Sequence, residues 1–92
     1  MVIISKQVTG DVTVNSDTQY NNFIGENVIV AENTLARFYG VILKDLVLKK
    51  EAVVYLHGKL VGKLINEGGT LHNFKASGEI ETYTKMGSEE IG

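Results

Sequence analysis

The sequence has no cysteine, no proline and no tryptophan among its 92 residues. Without cysteine the chain can form neither a disulfide framework nor a thiolate metal site, and it has no thiol nucleophile. No stretch approaches the roughly 20 apolar residues of a membrane-spanning helix, and the first residues lack the pattern of a signal peptide. We therefore expect a cytoplasmic protein that does not associate with a membrane.

The chain also has little excess of either charge, since its net charge is only −2. Residues 77–92 are the acidic part, because they hold four glutamates and one lysine. The six basic side chains from Arg37 to Lys63 are interspersed with Asp45 and Glu51, and no glycine-aromatic binding signature accompanies them. This pattern favours a solvated face, so we expect no nucleic-acid partner.

What the sequence does contain is an internal repeat. Three blocks of 18 residues, beginning at Asn27, Asp45 and Lys63, align without a gap. The columns of similar residues are Val28, Leu46 and Leu64; Val30, Leu48 and Asn66; Thr34, Ala52 and Thr70; Ala36, Val54 and His72; Phe38, Leu56 and Phe74; Gly40, Gly58 and Ala76; and Ile42 and Leu60. A shorter copy from Asp11 aligns Val12, Val14 and Thr18 with Val28, Val30 and Thr34, and then Ile24 with Ile42.

Apolar residues recur at every second position inside each block, which is the period of a β-strand. A repeat of this length suits one coil of a β-solenoid with three short strands, and successive coils stack about 4.8 Å apart. The sequence therefore predicts an all-β, single-domain solenoid of about four coils over residues 1–92. Residues 1–10 are expected to form an opening strand or cap, 11–80 the coils, and 81–92 an acidic C-terminal tail.

Alternation also separates the inside of the solenoid from its outside. The even-numbered columns are predicted to point inward, with Phe38, Leu56 and Phe74 filling the middle. Most odd-numbered positions are polar, but three outward columns are apolar: Ile29, Val47 and Ile65; Leu35, Val53 and Leu71; and Leu43 and Val61. Contiguous apolar stripes usually mark a contact surface, so these residues are the candidate partner-binding site. The alternative is that strand propensity placed them there and the terminal segments cover them.

The 18-residue coils and the run GVILKDLVLKKEAVVYLHGKLVGKLINEGGTL resemble bactofilins, the polymer-forming cytoskeletal proteins of bacteria. The resemblance covers roughly residues 8–80 and rests on repeat rhythm. It implies a right-handed, three-faced β-helix that assembles end to end without nucleotide. Left-handed hexapeptide-repeat acyltransferases also have 18-residue coils, but no inserted loop of this chain carries a catalytic histidine.

Candidates for chemistry are few. His57 is predicted to point outward and His72 inward, so the two imidazoles are not expected to share a metal ion. No serine has a neighbouring histidine and carboxylate, and Glu79 and Glu81 fit the acidic end of a sheet. Gly68 and Gly69 are predicted to form a solenoid corner, because no helix follows them to make a phosphate site. We expect no catalytic residue, no cofactor and no metal.

Two functional hypotheses remain. The first is a non-enzymatic, protein-binding module, most concretely a small immunity or antitoxin-type inhibitor that occludes a toxin domain. The second is a structural protein that assembles with itself end to end, as the resemblance to bactofilins implies. The first hypothesis requires contacts on a lateral face, whereas the second requires both ends of the solenoid to be open.

Overall fold

A computed structural model of the chain describes residues 1–91. It is built of β-strands, with no helix among those residues. The strands are β1 (Val2–Ile4), β2 (Val8–Val14), β3 (Thr18–Val30), β4 (Leu35–Ile42), β5 (Leu46–Leu48), β6 (Val53–Leu60), β7 (Lys63–Asn66), β8 (Thr70–Phe74), β9 (Ile80–Tyr83) and β10 (Gly87–Glu90). Parallel pairing between strands one coil apart confirms the predicted all-β solenoid of about four coils.

The coils have three faces, and the longer strands bend around the corners between them. The first face stacks β1, the beginnings of β3, β4 and β6, and then β8. The second face stacks the beginning of β2, the middle of β3, and the ends of β4 and β6. The third face stacks the ends of β2 and β3, then β5 and β7.

The interior is a set of stacked apolar columns whose members pair in register. Val28, Leu46 and Leu64 form one such column and are fully buried. The predicted pairings of Ala36 with Val54, Phe38 with Leu56, Gly40 with Gly58 and Ile42 with Leu60 are likewise confirmed. At about 1.5–3 kcal/mol for each large side chain that is fully buried, these columns are the main stabilising term.

The second coil departs from the predicted alignment because β3 is irregular between Tyr20 and Phe23. Thr18 was expected in the Thr34 column but pairs with Ala36, and Ile24 was expected in the Ile42 column but pairs with Val41. The irregularity turns the Phe23 ring into the core, where it meets Phe38 edge-on at 4.9 Å between ring centroids. Tyr20 stacks on Phe38 at 5.1 Å, and burial raises the pKa of the Tyr20 hydroxyl.

The last coil is one residue shorter than predicted, and this reverses its alternation. Leu48 still pairs with Asn66, but Val53 pairs with Thr70 and not with residue 71. The predicted inward positions of Thr70, His72 and Phe74 are therefore wrong, and so is the outward position of Leu71. Leu71 pairs with Val54 and is fully buried.

The cause of the shorter coil is the corner from residue 66 to residue 69. Oδ1 of the buried Asn66 accepts hydrogen bonds from the N–H groups of Gly68 and Gly69, at 2.9 Å and 2.7 Å, and its Nδ2 donates to the Gly69 carbonyl. Gly68 has a φ of 119°, which favours glycine. This tight corner confirms the expectation for the two glycines and brings the chain back to the first face one residue early.

The corner between the second and third faces is tied by a ladder of short polar side chains. Oδ1 of Asp11 accepts from the backbone N–H of Asn27, Oδ1 of Asn27 from that of Asp45, and Oδ1 of Asp45 from that of Lys63. Each bond spans one coil, at 3.0, 3.3 and 2.9 Å respectively. The ladder satisfies backbone donors that a corner would otherwise leave without partners.

The two ends of the solenoid differ. Residues 1–10 form strands of the first coil, since β1 and the start of β2 both pair with β3. Residues 81–92 were expected to be an acidic tail; residue 92 lies outside the described residues, and before it β9 pairs antiparallel with β8 and β10 pairs antiparallel with β7. The C-terminal segment thus closes the end of the first and third faces. Residues 1–91 include no helix of the length and hydrophobicity needed to cross a membrane.

Candidate functional site

The first outward apolar column lies on the middle of the third face. Ile29, Val47 and Ile65 pair in register along β3, β5 and β7. Ile29 is 36% exposed, and the other two side chains are half-buried. Because strands of one face stack without a shift here, the three side chains form a continuous stripe parallel to the solenoid axis.

Polar groups flank this stripe on both sides. On one side, the Lys49 ammonium is 3.0 Å from a carboxylate oxygen of Glu67. On the other side lie Asp45, whose carboxylate is held by the Lys63 N–H, and the exposed side chain of Lys63. An apolar centre with a charged rim is the usual anatomy of a protein-binding surface.

A second exposed apolar group lies at the corner between the second and third faces. Leu43 and Val61 are 44% and 54% exposed. The N–H groups of both donate to the coil above, so the two side chains occupy equivalent corner positions. Ile24, which the sequence alignment placed inside, is exposed and pairs with the partly exposed Val41 on the neighbouring second face. It adds an apolar side chain to the outer surface that the sequence did not predict.

The remaining predicted column is shorter than expected. Leu35 and Val53 pair with each other near the start of the first face, and both are half-buried. The third member is Thr70, since Leu71 points into the core after the short corner. Leu71 is therefore removed from the candidate surface, which retains Ile29, Val47, Ile65, Leu35, Val53, Leu43 and Val61.

Both histidines lie on the outside of the first face, which corrects the prediction that they point apart. His57 pairs with Phe74, and His72 pairs with Tyr55. The His57 ring is stacked between Tyr39 and Phe74, at 4.5 and 4.1 Å between ring centroids. The His72 ring stacks on Tyr55 at 4.9 Å, and its Nδ1 is 3.1 Å from the Thr82 hydroxyl of β9.

These rings form two parallel aromatic columns that sequence reasoning missed. Arg37 heads the second one, with its guanidinium carbon 5.1 Å from the Tyr55 ring centroid. The odd positions of Tyr39, Tyr55 and His57 were a usable signal, since alternation places all three outside. His72 and Phe74 could be added only by knowing that residues of the last coil pair with residues 17, and not 18, positions earlier.

Stacking also controls the ionisation of His57. Burial between two rings, and then the nearby positive charge of Arg37, lower the pKa of His57. The folded protein therefore binds fewer protons here than the unfolded chain, whose histidine has a pKa near 6.5. We expect the free energy of unfolding to decrease as pH falls from about 6.5 towards the folded pKa. Urea denaturation at pH 7.5 and pH 5 measures this loss.

The variant His57→Phe keeps a ring in the stack but cannot take up a proton. Its free energy of unfolding is expected to change less between the two pH values than that of the parent. The matched control, His72→Phe, leaves His57 in place and should retain the full decrease. An identical pH dependence in the parent and His57→Phe would contradict this assignment.

Within residues 1–91 no three histidine, aspartate or glutamate side chains come together as metal ligands. Glu79 lies in an exposed turn, whereas Glu81 accepts a hydrogen bond from the Tyr83 hydroxyl at 2.8 Å. That bond, together with Lys75, lowers the pKa of Glu81, while burial and the same bond raise the pKa of Tyr83 to about 12.

Comparison of the chain with protein-family models, with curated proteins and with solved structures found no match. Three features of the surface are candidates for a binding site. They are the apolar stripe on the third face, the apolar corner beside it, and the two aromatic columns on the first face.

Proposed function

We propose that this protein is a non-enzymatic, protein-binding module that contacts its partner through the third face and the adjoining corner. The observation that carries the proposal is the stripe of Ile29, Val47 and Ile65 between charged columns. Removing water from such a stripe lowers the free energy of the complex, and the charges at its rim orient the partner.

The exposed pair Leu43 and Val61 extends this surface around the corner. Contiguous exposed apolar area on a small domain usually marks an interaction site, whereas single exposed residues do not. Backbone hydrogen bonds between coils fix the main chain that carries these side chains, so little backbone conformational entropy is lost when a partner binds. A rigid, prearranged surface favours specific recognition.

The most concrete form of this function is an immunity or antitoxin-type inhibitor that occludes a toxin domain. An occluding inhibitor needs a surface that is fixed before the partner binds, and the in-register stacking of the coils on the third face supplies one. The acidic character of residues 77–92 would also favour a basic partner.

Self-assembly through coil ends is the second candidate function, and one observation favours it. The edge of β1 away from β3 pairs with no strand in residues 1–91, and Val2 and Ile3 are 52% and 62% exposed. The opposite end carries the antiparallel strands β9 and β10. Assembly through the β1 end alone would stop at two copies, unlike the polymers that the bactofilin resemblance implies.

The experiment begins with purification of the protein from its native host and measurement of the mass of any complex. The affinity of the purified partner is then measured for the parent and for Val47→Lys. We expect a loss of about a hundredfold or more, because a lysine in the centre of an interface is buried without a counter-charge. The melting temperature should change little, since Val47 faces outward.

Asn22→Lys is the matched control, because it introduces the same charge at an exposed position on a different corner. It should bind the partner like the parent. If Val47→Lys binds normally, the third face is not the contact surface, whatever its melting temperature. Recovery of the protein only as two joined copies of itself would favour assembly through the coil end instead.

A further inference from the structure

The C-terminal end of the solenoid is closed on its first and third faces and open on its second face. Strand β9 covers the end of the first face and β10 covers the end of the third face. On the second face, the last segment is Gly58–Leu60 of β6. Its edge away from β4 pairs with no strand in the described part of the chain. One strand position is therefore open, and we call it the end notch.

The chain itself leaves this position open by turning back. Continuing the pairing of His57 with Phe74 would place Lys75 and Ala76 beneath Gly58 and Lys59. Instead, the Lys75 N–H donates to the Glu79 carbonyl and the Gly78 N–H to the Lys75 carbonyl, both at 2.9 Å. These bonds reverse the chain into β9. The turn bounds one side of the end notch, and Ile91, just beyond β10, lies on its lining.

A cavity of about 340 Å³ occupies the end notch. It is lined by Gly58–Leu60, Asn73, Lys75, Ala76 and Ile91. Ligand pockets in proteins usually have volumes of about 300–1,000 Å³, so the cavity is at the small end of that range. It suits a short extended segment better than a folded element.

The polar groups of the end notch define the chemistry of its ligand. Asn73 lies in the inward column beneath Leu56 and is only 8% exposed, and its Oδ1 has no hydrogen-bond donor. A buried acceptor without a donor is costly, so a ligand that supplies an N–H group is favoured. Lys59 is exposed and forms no ion pair within residues 1–91, while Lys75 is 3.3 Å from Glu81. The charge of Lys75 is thus offset by Glu81, and Lys59 is the lining residue whose positive charge favours an acidic ligand.

We propose that the end notch binds an extended peptide segment of a partner protein, which pairs with Gly58–Leu60 as an added strand and carries an acidic side chain towards Lys59. Addition of a strand to an open sheet edge is a common mode of peptide recognition, in which the backbone gives affinity and side-chain pockets give specificity. The peptide N–H groups supply the kind of donor that Asn73 lacks. This site is separate from the third-face surface and uses none of its residues.

A second copy of the chain stacked end to end through β1 fits the end notch poorly. The edge of β1 away from β3 is open, but this strand is flanked by the N-terminal amine and Lys6, and residues 1–10 contain no acid. Insertion of β1 would bring these charges towards Lys59 and Lys75, and like charges oppose association. The charges of the end notch therefore oppose end-to-end stacking through β1 and favour an acidic segment.

The test uses two blocked synthetic peptides, acetyl-TVEVT-amide and acetyl-TVKVT-amide, titrated into the full chain and followed by NMR. The acidic peptide is expected to shift the amide signals of Gly58–Leu60 and the side-chain amide of Asn73 in a saturable manner. The lysine peptide should bind about tenfold more weakly. Ala76→Trp, at an exposed lining position, should abolish binding of both peptides.

Lys59→Glu should reverse the preference between the two peptides, while Lys50→Glu, the same charge change at a distant exposed corner, should leave it unchanged. Val47→Lys should also bind the peptides normally, so failure of the third-face proposal and failure of this one are distinguishable. The proposal is overturned if neither peptide gives saturable shifts, or if Lys59→Glu leaves the preference unchanged. It is equally overturned if the parent sediments as a dimer that Ala76→Trp converts to a monomer, because a second copy then fills the end notch.

Discussion

Replacing Leu71 with aspartate is expected to unfold the protein, whereas the same replacement of Phe74 should leave it folded. Leu71 is fully buried beneath Val54, so a carboxylate there would have neither water nor a counter-charge. An unpaired buried charge typically costs about 3–5 kcal/mol, which is a large part of the total stability of a small domain. Phe74 lies on the outer face and mainly loses its stacking with His57.

Circular dichroism and urea denaturation of both variants measure this contrast. The alanine variants provide a milder version, in which Leu71→Ala should cost about 2–5 kcal/mol and Phe74→Ala clearly less. A uniform 18-residue repeat requires the opposite result, with Phe74 beneath Leu56 and Leu71 outside. Loss of folding in Phe74→Asp together with a normal Leu71→Asp would therefore show that the last coil keeps the regular repeat.

The regular part of the fold could be predicted from sequence, because residues that align in the repeat become stacked neighbours when the coils pair in parallel. Once Asn27, Asp45 and Lys63 begin equivalent blocks, residues 18 apart become neighbours, and alternation decides which side they face. The column of Val28 and the pairing of Phe38 with Leu56 followed directly from this rule. The outward position of Val47 followed in the same way, and with it the candidate third-face surface.

The irregular coils could not be predicted, because local hydrogen bonds and packing decide them. Asn66 was recognised as an inward residue, but nothing in the alignment indicated that its amide would bind the following glycines and shorten the corner. The irregularity before Phe23 likewise depends on how the Phe23 ring packs against Phe38. A shift of one residue reverses every later side chain, so a small local preference changed the placement of Leu71 and His72.

The end notch and the aromatic columns were missed for a related reason. The aromatic columns depend on the short corner before the last coil, and the end notch depends on where the coils stop. A repeat pattern describes only the coils that obey it. Residues 81–92 were expected to be an acidic tail because their charged residues outnumber their apolar ones. The closing strands β9 and β10 use backbone pairing with the last coil, which needs little hydrophobic patterning. That closure is also what makes the two ends of the solenoid different.

The corner between the first and second faces depends on glycines that approach the coil above. A Cβ atom on Gly58 would lie 1.7 Å from the carbonyl oxygen of Gly40, and one on Gly40 would lie 1.9 Å from that of Phe23. Both glycines also have positive φ angles, of 155° and 144°. Because the obstructing atoms belong to the backbone of the next coil, no rotation of a side chain can relieve the overlap.

Gly58→Ala is therefore expected to prevent normal folding, since the added methyl group must push two hydrogen-bonded coils apart. Gly78→Ala is the matched control, because Gly78 also has a positive φ, of 92°, but a Cβ there meets no atom within 4 Å. Its cost should be only that of the backbone conformation, about 1–2 kcal/mol. Thermal melting followed by circular dichroism compares the two variants. Equal melting temperatures would mean that this corner requires glycine for its positive φ, and not for the close approach of the neighbouring coil.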